Sequence, residues 1–198
     1  MSNLAVQTER GPVVFVWALI LFVCSLFMPI VFISWIQDLF FFSKSHWFFI
    51  APQSAFITFA IGMAWIPIVM VGYLIMKLKF DFKYLGLFSV LLASFSIPIF
   101  LFAATTYFYF DDTGLHYNRL ETFNQVTTYD WDSFKEVKKH YAKRENIAYL
   151  KEYIFVMNDD LEIVIPYEGA MSQNEYRLLD KLTEQNVTVT DNYMDLYE

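Results

Sequence analysis

Charged residues and cysteine are scarce in this chain of 198 residues. Asp, Glu, Lys and Arg together make up 18% of it, whereas soluble domains contain about 25%. Hydrophobic residues make up 57%, which excludes a disordered chain and an ordinary soluble globule. The single cysteine, Cys24, excludes an internal disulfide and a thiolate metal cluster. It lies in an apolar run and is typical of a small buried side chain.

Motifs for catalysis and cofactor binding are also missing. The six glycines occur singly, so the chain has no Gly-rich phosphate loop and no Gly-x-Ser-x-Gly turn. None of the three histidines has a metal-binding spacing: His46, His116 and His140. A triad of Asp111, His116 and Ser133 has no local support, and a turn explains Asp111 and Asp112 better. We therefore expect no enzyme, no metal and no cofactor.

The few charges are unevenly distributed, and this divides the chain in two. Residues 1–108 carry five basic and three acidic residues, a net charge of +2. Residues 109–198 carry nine basic and eighteen acidic residues, a net charge of −9, which argues against nucleic acid as a partner. Such a change in composition predicts a domain boundary. We predict a membrane domain over 1–108, a small β domain over 109–188 and an acidic tail over 189–198.

Three apolar stretches in the first half contain no Asp, Glu, Lys, Arg or His. Each exceeds the about 20 residues that a helix needs to cross a bilayer. They predict three transmembrane helices, at about 12–36, 54–76 and 84–108. The connection 37–53 is rich in Phe and Trp, which indicates an interfacial segment. The chain is thus expected to be a multi-pass protein of the cell (inner or plasma) membrane, with the lipid bilayer as a partner.

Each predicted helix contains one interior proline in a similar setting: Pro29, Pro67 and Pro98. Proline frees a backbone carbonyl and bends a helix, so these residues predict three kinks at similar depth. The alternative is that proline is simply tolerated in membrane helices. Because no span carries an ionisable group, an ion-coupled transporter is not expected, although an oligomeric pore is not excluded.

Three lysines between the second and third helices predict the orientation: Lys77, Lys79 and Lys83. Basic residues near helix ends stay in the cytoplasm, which places this turn and the N-terminus inside. Three crossings then place the β domain outside the cytoplasm.

The second half shows the period-two pattern of β-strands. From about Thr105, two β-branched and aromatic runs around a Gly-containing turn predict one hairpin, and 147–165 predicts another. Ser172 and Glu175 have the spacing of a capping box, which predicts a helix start at Ser172. Leu179 and Leu182 of this helix are expected to pack on the sheet. Their expected partners are Trp131, Phe134, Phe155 and Ile163. The tail is expected to be disordered or to form a short docking strand.

This order of elements resembles the bacterial pleckstrin-homology-like (PH-like) domains that are fused to membrane helices. The resemblance covers about 104–188. It rests on Tyr-Asp-Trp-Asp-Ser-Phe-Lys-Glu-Val at 129–137, which is similar to the family's W-x-x-I/F-x-x-V strand, and on the hairpin and helix that follow. It implies an antiparallel curled sheet or partial barrel capped by a C-terminal helix, with no known catalytic residues. It also implies a cytoplasmic β domain, which conflicts with the lysines; we give the lysines slightly more weight.

One cluster of basic residues stands out in the acidic half: Lys135, Lys138, Lys139, His140, Lys143 and Arg144. Beside a cytoplasmic leaflet it would hold anionic headgroups, and otherwise it is a solvated strand whose charges oppose aggregation. Two functions follow. One is a membrane-anchored interaction or scaffold protein whose β domain docks a protein partner or a lipid headgroup. The other is a ligand-sensing membrane effector whose β domain binds a small molecule and whose helices form a homo-oligomer and respond.

Overall fold

The computed structural model describes residues 2–80, 82–122, 124–167 and 169–197, with side chains from Gly11 onward. The chain forms two compact units, which are not the two continuous halves that the composition predicts. The helical unit comprises Met1–Phe41, Gln53–Thr106 and Arg119–Asn124. The β unit comprises Phe42–Pro52, Tyr107–Asn118 and Gln125–Glu198.

The helical unit contains four helices, namely α1 (Ser2–Phe40), α2 (Gln53–Lys79), α3 (Leu85–Ser94) and α4 (Ser96–Thr105). Gly11–Phe40, Gln53–Lys79 and Leu85–Thr105 are each long and apolar enough to cross a membrane. The prediction of three apolar spans is therefore confirmed, and the chain is a multi-pass membrane protein by the length and composition of these helices. The third span ends at Thr105 and not at 108, because Tyr107–Phe110 is already a strand.

The three prolines lie in two different settings. Helix α1 continues through Pro29, and α2 continues through Pro67. The third span is interrupted at Phe95, between α3 and α4, three residues before Pro98. Proline has no N–H for the carbonyl four residues earlier and clashes with it. In this span that carbonyl belongs to Ser94, the last residue of α3, so the interruption lies where Pro98 removes the helical hydrogen bond.

Small and polar residues make up much of the interior of the helical unit, together with a few large apolar ones such as Ile33 and Phe59. A Cβ on Gly62 would lie 2.8 Å from the ring of Phe100 and 3.1 Å from Ile99, which shows how closely α2 approaches α4. Gln37 is buried at the end of α1, and its amide donates to the Thr106 carbonyl at 2.8 Å. This bond satisfies one of the carbonyls that a helix end leaves unpaired.

The first sheet of the β unit takes a strand from between two membrane helices. Its order is β1 (Phe48–Ile50), β2 (Tyr107–Phe110), β3 (Gly114–Asn118) and β4 (Val126–Asp130), all antiparallel. Phe48 pairs with Phe110, so the middle of the segment expected to be interfacial is a strand. Backbone pairing with β2 satisfies those N–H and C=O groups of β1 that face β2.

The second sheet has the order β7-β6-β5-β8. Its strands are β5 (Phe134–Arg144), β6 (Ile147–Met157), β7 (Glu162–Pro166) and β8 (Thr188–Asp191). The three strands β5 to β7 form an antiparallel meander, whereas β8, from the acidic tail, runs parallel to β5. Of the two outcomes expected for the tail, the structure shows a docking strand. The described strands form two separate sheets and not one closed barrel.

Helix α5 (Ala170–Glu184) covers the sheets with Met171, Leu178 and Leu182, which are fully buried. The predicted core residues Trp131, Phe134, Phe155, Ile163 and Leu182 are confirmed as buried, whereas Leu179 is only partly buried. The prediction of a capping box is wrong. The helix starts two residues before Ser172, and Glu175 makes its hydrogen bonds to tyrosine side chains instead.

Candidate interaction surface

The six residues of the predicted basic cluster all lie on β5. This strand is central in the second sheet, with β6 on one side and β8 on the other. Side chains on a central strand have neighbours on both adjacent strands, so its charged residues can pair with residues of the same sheet. The structure therefore brings the basic cluster together with the acids of the same unit.

The first two lysines pair with the neighbouring hairpin. Lys135 Nζ lies 2.7 Å from Asp160, and Lys138 Nζ lies 3.6 Å from Glu162. The hydrogen bond and charge of Asp160 raise the pKa of Lys135, and Lys135 in turn lowers the pKa of Asp160. Both pairs are solvent-exposed, and such pairs contribute little stability.

Lys139 belongs to a network under α5. Glu175 accepts hydrogen bonds from the hydroxyls of Tyr153 and Tyr167, both at 2.6 Å, and from Lys139 Nζ at 3.2 Å. Burial raises the pKa of Glu175, but these three donors lower it more, so the net pKa lies below its ordinary value. Burial and Glu175 raise the pKa of Tyr153, and the hydrogen bond to Glu175 with burial raises that of Tyr167 to about 12. At neutral pH the network is one carboxylate held by three donors.

The remaining members contact β6 and the tail. His140 Nδ1 lies 2.7 Å from Glu152, whose pKa is raised by burial but lowered further by its bonds to His140 and Lys151. Lys143 Nζ donates to the Leu196 carbonyl at 3.3 Å and lies 4.7 Å from the centre of the Tyr197 ring. Arg144 is exposed at the end of β5. Five of the six predicted residues are therefore engaged within the β unit, and the cluster is not an open cationic surface.

The β5–β6 hairpin is longer than the strands on either side of it. Strand β7 pairs with β6 only at Glu152–Val156, and β8 pairs with β5 only at Glu136–Lys139. The hairpin turns at Glu145 and Asn146, which both have positive φ, as a two-residue type I′ turn requires. Near this turn Ile147 is 70% exposed and Tyr149 is 46% exposed. The hairpin end thus presents apolar side chains next to the outer edge of β6, which before Lys151 has no paired neighbouring strand among the described residues.

The tail lies along β5 and continues past the end of β8. The side-chain amide of Asn192 donates to the Tyr141 carbonyl at 3.2 Å and accepts from the Tyr141 N–H at 2.7 Å, so it replaces a backbone pair. The ring of Tyr193 packs edge-on against Tyr141, with centres 5.2 Å apart. The sequence does not predict that the tail docks on β5, because nothing in the residues of β5 identifies a parallel strand about 50 residues later.

A second cluster lies on the first sheet. His116 Nε2 is 3.0 Å from Asp111, and His116 Nδ1 is 2.9 Å from the Thr128 hydroxyl. The Tyr109 ring stacks between His116 and His46, with centre distances of 4.5 Å and 3.7 Å. Ser133, the third residue of the imagined triad, donates to the Asp130 carbonyl instead. The structure therefore joins Asp111 and His116 but not Ser133.

Asp111 also shapes the turn before β3. Its Oδ1 accepts from the Thr113 N–H at 2.8 Å, as expected for an aspartate in a turn. Burial raises the pKa of Asp111, but hydrogen bonds from Thr113 and His116 lower it more. Burial lowers the pKa of His46, partly offset by the charge of Asp111. In the part of the chain that the structure describes, no three His, Cys, Asp or Glu side chains are grouped as metal ligands.

The predicted orientation residues lie at one end of the helical unit. Lys77 and Lys79 are in the last turn of α2, and Lys83 lies two residues before α3. The Nζ of Lys77 lies 5.6 Å from the centre of the Tyr73 ring, and that of Lys83 lies 5.7 Å from Tyr84. Lysine and tyrosine together are typical of the interface between lipid and water.

Comparisons with protein families, with curated proteins and with solved structures find no match to this chain.

Proposed function

We propose that this chain is a membrane-anchored interaction protein whose β unit docks a protein partner. The observation that carries the proposal is the β5–β6 hairpin, in which Ile147 is 70% exposed. It lies beside the outer edge of β6, which has no paired strand before Lys151 among the described residues. Exposed strand edges pair readily with another chain, and apolar side chains next to them add affinity. The three apolar spans anchor the chain in the bilayer.

A protein fits this surface better than a lipid headgroup does. An anionic headgroup needs cations that are free to approach it, at about 1 kcal/mol for each basic residue. Lys135, Lys138 and Lys139 already have acidic partners within 4 Å, and Lys143 is held by the tail. Among the described contacts of the basic cluster, Arg144 is the one exposed residue with no acidic or hydrogen-bonding partner.

We further propose that the β unit is PH-like. Two sheets covered by α5 near the end of the chain support this proposal, although β8 of the second sheet follows α5. Trp131, which is buried just before the strand that carries the resemblance, also supports it. Strand β1 departs from the resemblance, because it comes from the connection between α1 and α2 and not from the continuous segment 104–188.

We propose that the β unit lies outside the cytoplasm. Because β1 pairs with β2, the connection after α1 and the segment after α4 belong on the same side of a membrane, opposite Lys77, Lys79 and Lys83. Those lysines favour the cytoplasm. A phosphatase fused after Glu198 is then active in the parent chain and loses activity when the three lysines are changed to Gln. A C-terminal fluorescent protein that fluoresces in the cytoplasm would contradict this orientation.

The docking proposal is tested by a photo-crosslinking residue in the full-length chain in its native membrane. At position 147 we expect an adduct to protein. Position 176 is the matched control, because Tyr176 is also 70% exposed but lies on α5. Adducts to phospholipid at 147 would favour the headgroup instead, and equal adducts at both positions would contradict a docking surface on the hairpin.

One observation favours the second candidate, a ligand-sensing effector. Strand β1 is joined covalently to both α1 and α2, and His46 in the same segment stacks on Tyr109. A change in the position of β1 would therefore reach the chain segments that lead into two membrane helices. Dye-loaded proteoliposomes taken from about pH 7.5 to about pH 5.5, across the ordinary pKa of histidine, test this. Dye release that is abolished by His46→Gln would favour the ligand-sensing effector. The absence of dye release would contradict the effector and favour the interaction protein.

A further inference from the structure

The edge of β5 next to β8 binds an extended strand, and we call this edge, from Glu136 to Lys143, the seat. Thr188–Asp191 pairs in parallel with Glu136–Lys139, and Asn192 continues the pairing to Tyr141 with its side chain. Lys143 then contacts the Leu196 carbonyl and the Tyr197 ring. The seat therefore recognises backbone groups, the Asn192 amide and the tyrosine rings of the tail.

The tail occupies this seat without entering the core. All four residues of β8 are exposed, and Val187 is the last of the described residues that packs against the apolar core. Residues 188–197 are held by backbone hydrogen bonds, by the Thr190 hydroxyl on Glu136 and by ring contacts at the surface. Because the core closes without them, the tail can leave β5 while the rest of the β unit stays folded.

The connection between α5 and β8 is short and bent. It comprises Gln185, Asn186 and Val187, and Asn186 has φ of +56°. The Val187 N–H donates to the Leu182 carbonyl at 2.9 Å, which closes the helix end. Short hinges in such conformations favour the exchange of a terminal element between identical chains.

We propose that the tail of a second copy of this chain docks on β5, so that two copies exchange residues 188–197. This rests on the proposed function and names its partner. Strand pairing through the backbone does not distinguish a chain's own tail from the identical tail of a neighbour. Two anchored copies in one membrane meet at a high effective concentration, which favours exchange. The exchanged pair makes the same contacts twice, as a two-fold dimer does.

The test uses disulfide formation between co-expressed, differently tagged full-length chains that carry Cys24→Ser. One chain carries Lys138→Cys and the other Thr190→Cys, because these positions face each other in the parallel register. Adjacent strands bring Cα atoms into the range that a disulfide requires. The control chain carries Lys151→Cys, an exposed position on β6, in place of Lys138→Cys. After mild oxidation of the membranes we expect several-fold more mixed disulfide dimer with Lys138→Cys than with Lys151→Cys.

Two further measurements make the result decisive. A synthetic peptide of residues 186–198 should reduce the mixed dimer, whereas the same peptide with Val189→Pro and Asn192→Ala should not. A single chain with both Lys138→Cys and Thr190→Cys reports docking within one copy. If that chain closes its own disulfide while the mixed pair stays at the control level, the exchange is overturned. A failure to close either disulfide also overturns it, because the seat itself would then be empty. A protein adduct at position 147 would still support docking on the hairpin, so the two proposals fail separately.

Discussion

The helical unit and the β unit differ in what they leave exposed and in how many small residues they bury. In the helical unit the buried positions include Ala55, Ala103 and Ser96, while large apolar residues such as Ile97 are 57% exposed. In the β unit Phe110, Phe155, Ile165 and Leu182 are buried. The difference follows from the solvent, because lipid is as apolar as leucine and leaves close packing of small residues to hold helices together. A large apolar residue in the helical unit is therefore often a lipid-facing residue, whereas in the β unit it is often a core residue.

The largest expected effect is in the β unit, where backbone segments approach most closely. A Cβ on Gly114 would meet the Tyr129 carbonyl oxygen and lie 3.0 Å from the Asp130 Cα. Both atoms belong to a paired strand and do not rotate away. We expect Gly114→Ala to cost about 3 kcal/mol or more of folding free energy. Gly86→Ala is the control, because a Cβ there meets no atom within 4 Å. Equal melting temperatures of the two variants in detergent would contradict the register of β3 and β4.

The comparison predicts that one substitution acts oppositely in the two units. Ile97 lies near the middle of the third span, and Ile147 lies at the hairpin turn. A charge near the centre of a span costs about 2.5–3.5 kcal/mol, so Ile97→Asp should reduce membrane insertion. Ile147→Asp on a watery surface should change stability by less than about 0.5 kcal/mol. The measurement is the fraction of full-length chain that resists carbonate extraction. Equal carbonate-resistant fractions of the two variants would contradict the assignment of Ile97 to a lipid-facing surface and of Ile147 to a water-facing one.

The Glu175 network predicts how the β unit responds to acid. Its three donors stabilise the carboxylate, so the folded pKa lies below the ordinary value of 4.5 and the folded state binds fewer protons than the unfolded state. The stabilisation is complete above that ordinary value and is lost as pH falls toward the folded pKa. Glu175→Gln should cost about 2 kcal/mol near neutral pH, and less in acid. Melting temperatures across this range test it, with Glu184→Gln on the exposed end of α5 as control. A pH-independent difference would contradict a charged network.

The smallest effect is expected where helices pack. Gly62 and Gly72 both lie in α2, but a Cβ meets Phe100 and Ile99 at the first and nothing within 4 Å at the second. Alanine gains the same helix propensity at both positions, so the difference between them isolates packing. We expect Gly62→Ala to be about 1 kcal/mol less stable than Gly72→Ala, since ring rotation of Phe100 relieves part of the clash. Indistinguishable melting in detergent would show that α2 and α4 are not closely packed.

Local patterns in the sequence predict the local elements of this fold well. Apolar length predicts the three spans, and alternation predicts β2, β3, β6 and β7, because each of these signals lies within one segment. The register of α5 is harder to predict. Ser172 and Glu175 match a capping box, yet Glu175 lies on the buried stripe between Met171 and Leu178, where Tyr153 and Tyr167 satisfy it. That Glu175 is a partly buried hydrogen-bond acceptor becomes evident only when the positions of Tyr153 and Tyr167 are known.

Elements that depend on distant partners are not predictable from the chain alone. Strand β1 has three residues, and the aromatic run that contains it is equally typical of a membrane interface. Its partner β2 lies beyond two further spans. The basic cluster shows the same limit for the site, because its spacing suggests an open patch and only the structure places Asp160, Glu162 and Glu175 beside it.

The position of β1 in the chain also determines the order of events during synthesis. Phe48 leaves the ribosome 62 residues before its partner Phe110. The first sheet therefore cannot form until α2, α3 and α4 have all been made. Until then Phe48–Ile50 is an aromatic segment without a partner, which is the kind of segment that aggregates in water. Completion of the third span thus decides when this segment is protected. A chain that stalls before Tyr107 leaves Phe48–Ile50 without its partner strand.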